Sequence, residues 1–104
     1  MRRFTFTMAI LMSASVHTQA LALNGQDLSD MCRSDRFASM MYVKGAADGM
    51  FAMGAEFISC IPNEASTQQM GDVVCKWLRD NPQHRHKKSI SVVGLAFKQA
   101  WPCG

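Results

Sequence analysis

Apolar residues recur along this chain at helical spacing in four separate stretches, and period-two alternation is almost absent. The clearest stretch is the third. Met70, Val73, Val74, Trp77 and Leu78 fall at i, i+3, i+4, i+7 and i+8, which is one stripe of a helix. Ser66-Thr67-Gln68-Gln69 in front of it is a capping box, with Ser66 as N-cap and Gln69 at the third helical position. Asn81-Pro82 ends it. The last stretch predicts a helix over about 89–100, with Ile90, Val93, Phe97 and Ala100 or Trp101 facing inward, Val92, Leu95 and Ala96 flanking, and Pro102 as the stop. A short helix over about 26–33 carries Leu28 and Met31 or Cys32 on its apolar side and is capped by Asn24 or Gly25.

The second stretch predicts the longest helix, about 35–57, opening on Ser34 or Asp35. It is apolar almost all round and is interrupted by Gly45, Gly49 and Gly54. Each glycine costs roughly 1 kcal/mol against alanine in a helix interior. Gly45 and Gly49 share a face, so either they let another backbone approach closely, from this chain or a second protomer, or the helix breaks near Gly54. Met40, Met41, Met50 and Met53 suit a plastic core or an adaptable contact surface, and core is the expectation. Asp48, among small residues, is expected to be buried and bonded to a neighbour in a structural role.

The first 22 residues change the picture. Arg2-Arg3, the apolar run 4–16 and Ala20-Leu21-Ala22 have the order of a Sec-type signal peptide with cleavage after Ala22. That run is too short to anchor the chain in a bilayer, and no other apolar run approaches a membrane span. The mature chain, residues 23–104, is then one small domain. Its formal charge drops from +3 to +1 with loss of the two arginines, which gives no electrostatic case for nucleic acid or a membrane surface. A chain of this size is marginal without covalent help.

Cys32, Cys60, Cys75 and Cys103 all lie in the mature part, and an even count in a small exported chain implies two disulfides. There is no C-x-x-C and no histidine at ligand distance, so no metal site is expected. The connector between the last two helices is short, which predicts an antiparallel hairpin. Cys60 precedes that hairpin and Cys103 follows it, so both fall at the same end and should pair, closing a loop of about 44 residues that contributes about 4 kcal/mol on the chain-entropy account. Cys75 sits well up its helix from that end, which makes Cys75–Cys103 the poorer geometry. Cys32–Cys75 follows by elimination. The expected architecture is all-α: a small four-helix bundle with a C-terminal antiparallel hairpin, stapled by two disulfides.

No catalytic motif or cofactor signature is present. His84-Arg85-His86-Lys87-Lys88 is the one conspicuous polar cluster. It reads first as a solvated connector, and otherwise as a metal site, a pH sensor or an anion patch.

Tyr42-Val43-Lys44-Gly45-Ala46-Ala47-Asp48, Cys60-Ile61-Pro62, Ser66-Thr67-Gln68-Gln69-Met70-Gly71-Asp72-Val73-Val74, Trp77-Leu78, Asn81-Pro82 and Ala100-Trp101-Pro102-Cys103 occur in this order. Together they resemble the Rap/Tai family of type VI secretion immunity proteins, over nearly all of the mature chain. The resemblance implies an exported, helical, disulfide-bonded and often dimeric protein that binds and occludes a cell-wall amidase effector in the periplasm. The chain departs from the family at Ser39, where members commonly carry a cysteine, and Cys75 is gained instead. Asp80, Asn81, Gln83, His84, Arg85 and His86, exposed and varied in chemistry, are the expected contacts with the effector. The competing readings are an acid- or stress-activated helical chaperone and a ligand-binding module centred on His84 and His86.

Overall fold

The computed structural model describes residues 23–54 and 60–104. The expected signal peptide, residues 1–22, and residues 55–57 of the expected second helix lie outside the described residues. Four helices follow one another: α1 (Gly25–Ser34), α2 (Arg36–Ala52), α3 (Thr67–Asp80) and α4 (Ser89–Ala100), with a single 3-10 turn, Pro82–His84, between the last two. Among the described residues there is no strand beyond an isolated antiparallel bridge between Asn24 and Lys88.

Side chains start three of the helices. Asn24 and Asp27 form a reciprocal capping box on α1, and Ser66 and Gln69 form the predicted one on α3. Asp35 ends α1 through its N–H on the Met31 carbonyl (2.8 Å) and opens α2 by accepting from the Ala38 N–H (3.0 Å). α2 stops at Ala52, short of the predicted end. Gly54 adopts φ 73°, a left-handed conformation that closes a helix readily only at glycine.

The core consists of Leu28 from α1, Val43 from α2, Met70, Val74, Trp77 and Leu78 from α3, and Val92, Val93, Ala96 and Phe97 from α4. The stripe of α3 therefore packs as its spacing predicts. That of α4 is turned relative to expectation: Ile90, Leu95 and Ala100 are exposed. The cause is Ser89, whose N–H donates to the Leu23 carbonyl (2.7 Å) and whose hydroxyl hydrogen-bonds that of Tyr42. Ser89 is thereby fixed inward, and i+3, i+4, i+7 and i+8 from it are Val92, Val93, Ala96 and Phe97.

α2 is apolar all round but is covered on one side only. Ser39 and Val43 are buried, Met40 and Met50 are half-buried, and Met41 and Met53 are exposed rather than in the core. No backbone of the described chain approaches Gly45 or Gly49, beside which an added Cβ would find open space. The close approach occurs instead at Gly71 of α3, where a Cβ would stand 3.3 Å from the Met40 Cα. Asp48 is exposed, not buried, and pairs with Lys44 one turn back.

Both expected disulfides are present, Cys32–Cys75 with Cα atoms 5.7 Å apart and Cys60–Cys103 with Cα atoms 5.1 Å apart. The first staples α1 to the flank of α3. The second joins the approach to α3 with the exit from α4, as a hairpin requires. Ser39 lies against the first bond, its Oγ 3.8 Å from Cys75 Sγ while its hydroxyl donates to the Arg36 carbonyl (2.8 Å).

Candidate partner-binding site

The six expected contact residues lie together where α3 turns towards α4, and the structure divides them into two groups. Asn81, His84 and Arg85 are half-buried and hold the corner. The last carbonyls of a helix have no partner within it, and here side chains supply them. Asn81 Nδ2 donates to the Trp77 carbonyl (2.8 Å), and Arg85 Nε donates to the Leu78 carbonyl (3.0 Å). The His84 ring stacks on Trp77 with centroids 5.6 Å apart.

Asp80, Gln83 and His86 are exposed on that base. Asp80 accepts from Lys76 Nζ at 2.6 Å. This hydrogen bond holds the Asp80 carboxyl below its ordinary range; desolvation opposes it, and the charges of Lys76 and Arg79 add to it.

The corner is fixed from a second side as well. The first N–H groups of α1 lack intrahelical acceptors. Gly25 N–H donates to the Lys87 carbonyl (2.8 Å) and Gln26 N–H to the Arg85 carbonyl (2.8 Å). A Cβ on Gly25 would stand 3.0 Å from the Arg85 Cα and carbonyl oxygen, so the two segments meet backbone to backbone. The expectation of a solvated connector thus applies to the side chains of Gln83, His86 and Lys88, while the backbone is built into the fold. Sequence spacing gave no sign of this, because the bonds are made by main-chain atoms far apart along the chain.

Beside the corner, α3 and α4 leave a cleft of about 220 Å³ lined by Trp77, Asp80, Asn81 and Gln99 among others. Trp77 Nε1 donates to Gln99 Oε1 (3.0 Å) at its edge. Gln99 and Lys76 join the site only in three dimensions. Among the described residues no three of His, Cys, Asp and Glu come together as metal ligands. The arrangement suits recognition: exposed polar groups of both charges on a base that does not need ordering.

The sequence profile of the Rap1a immunity proteins matches residues 24–103. The chain belongs to this family. The match opens at Asn24, the cap of α1, and closes at Cys103, so it takes in all four helices and both disulfides of this Rap1a-family chain. No curated protein and no solved structure matches the chain. Membership of an immunity family implies that a Rap1a-family protein binds a secreted effector.

Proposed function

We propose that residues 23–104 form the mature protein, a periplasmic immunity protein that binds and occludes a cell-wall amidase injected by type VI secretion. It acts stoichiometrically, as a homodimer, with no turnover of its own. The observation that carries this reading is the family match across the whole described fold, beginning just after the expected cleavage at Ala22. Two disulfides favour an oxidising compartment. Among the described residues no helix is long and apolar enough to cross a membrane.

Asp80, Gln83 and His86 make the contact, and Asn81, His84 and Arg85 position them. A partner that meets this corner orders little on binding, which favours tight blocking. The test is co-expression in the periplasm with the product of the adjacent gene. The expected result is rescue from lysis and a stable complex on size exclusion. Gln83→Glu with His86→Glu should weaken that complex at least tenfold with the melting temperature unchanged. Continued lysis with no complex refutes the function, and a complex indifferent to the double variant refutes this contact surface.

A further inference from the structure

Acidic side chains stop at Asp80. From Asn81 to the end the chain carries Arg85, Lys87, Lys88 and Lys98 and no aspartate or glutamate. Lys87 and Lys98 both line a groove of about 480 Å³ beside α4, one just before its first turn and the other in its last. Neither has an ion-pair partner among the described residues, where the four ion pairs use Arg33, Arg36, Lys44 and Lys76. Between the lysines the groove is apolar: Met50 of α2 faces Ile90 and Leu95 of α4, which are 43% and 38% exposed. Glycine is a poor residue for a helix interior, yet Gly94 stands here, and a Cβ added to it would meet only Met50 Cε, at 4.0 Å. The backbone of α4 is thus open to the groove, and the packing of the described chain makes no use of that space. Alone among the four helices, α4 has no side-chain cap, so the first-turn N–H groups of Ile90 and Ser91 have no side-chain acceptor beside Lys87.

We propose that this groove binds a single-chain anionic amphiphile, a fatty acid monomer, with its carboxylate at Lys87 and its alkyl chain lying over Gly94. The uncapped start of α4 and the Lys87 ammonium both favour an anion at that end. The chain then runs between Met50 and the pair Ile90 and Leu95, towards the aliphatic stem of Lys98. From Ile90 to Lys98 the helix covers about 12 Å, the reach of a medium-length alkyl chain. The volume is that of an ordinary small-molecule site, mostly apolar with a few polar groups that fix orientation. Met50 is unbranched and adapts its shape to whatever lies against it. A cationic amphiphile of the same length meets two lysines and no carboxylate, so charge sets the selectivity.

The site goes beyond the functional reading, and its test contains no effector, so the two fail independently. Dodecanoate, kept below its micelle concentration, is titrated into the disulfide-bonded protein and followed by NMR. Saturable shifts are expected at the Gly94 amide and the Met50 methyl group. Decanoate should bind about fourfold to tenfold more weakly, since two methylenes fewer are partly withdrawn from water. Dodecyltrimethylammonium should bind at least about tenfold more weakly than dodecanoate. Lys87→Glu should cost dodecanoate at least about tenfold, and more than Lys98→Glu does. Gly94→Leu fills the groove and should abolish binding while circular dichroism stays helical. The comparisons of headgroup and chain length need no variant. Absence of saturable shifts at Gly94 and Met50 overturns the proposal. So does equal affinity for the cationic amphiphile, or unchanged affinity in folded Lys87→Glu. Binding to phosphatidylglycerol vesicles without binding to the monomer would assign the face to a lipid surface and overturn it as well.

Discussion

Each disulfide joins cysteines 43 residues apart, so on the chain-entropy account each restrains the unfolded chain equally, by about 4 kcal/mol. Removing either one leaves a single loop of the same length, so the unfolded-state effects cancel when the two removals are compared. The native environments do not. Cys75 is 1% exposed and its sulfur touches Ser39, whereas Cys60 and Cys103 are both exposed. Cys32→Ala with Cys75→Ala empties the α1–α3 contact of two sulfurs, each comparable to a methylene at about 1 kcal/mol when buried, so it costs about 1–2 kcal/mol beyond the loop effect. Cys60→Ser with Cys103→Ser leaves no cavity. Expected losses are about 5–6 kcal/mol for the inner pair and about 4 kcal/mol for the outer. A domain of about 80 residues has roughly 4–12 kcal/mol in all, so both variants sit near the edge of folding. The comparison is made by urea unfolding of the oxidised proteins at low temperature in a stabilising osmolyte. With a slope of about 1 kcal/mol per molar, the midpoints should differ by about 1–2 M. Coincident midpoints, or a less stable outer variant, would refute the assignment of the difference to buried sulfur.

Two glycines should respond in opposite directions to the same change. Gly49→Ala meets nothing within 4 Å and should stabilise by about 0.5–1 kcal/mol, while Gly25→Ala drives a Cβ against Arg85 and Val92 at 3.0 Å and should destabilise by about 1–3 kcal/mol. Thermal melts decide, and a Gly25→Ala melt at or above the parent would mean that the corner yields freely. Lys76→Gln should return the Asp80 carboxyl towards its ordinary value of 3.8, read by NMR titration, since the Lys76 hydrogen bond is the main cause of its depression. Because the folded value is the lower one, the Asp80–Lys76 contact is fully present above about pH 5. It fades as the pH falls through 3.8 towards that lower value, and a titration unchanged in Lys76→Gln would remove this cause.

The helices and both sulfur pairings were legible in the sequence because they rest on local signals. Ser66 and Gln69 cap α3, Asn81-Pro82 stops it, and a hairpin flanked by Cys60 and Cys103 has one sensible closure. Orientation was less legible. The inward face of α4 is set by Ser89, a small polar residue whose place depends on Leu23 and Tyr42, so a reading by hydrophobicity alone started the stripe one position late, on Ile90. The outer methionines of α2 were misplaced for a related reason: a helix apolar all round does not say which side its neighbours cover. The corner after α3 was legible as a polar run but not in how its members divide. Composition picked out the polar run 80–86, while the division between supporting and exposed members depends on the carbonyls of α3 and the free N–H groups of α1.

The bridge between Asn24 and Lys88 couples the beginning of the described chain to its last helix, and this bears on the order in which the chain acquires its shape. Leu23, Gly25 and Gln26 exchange main-chain bonds with partners at 85–89, nearly the full length of the domain away, and each disulfide also waits for a distant cysteine. A chain that emerges N-terminus first therefore delivers α1 before anything exists to receive it. The first helix made cannot settle until residues 85–89 are present, and Cys32 and Cys60 must wait for Cys75 and Cys103.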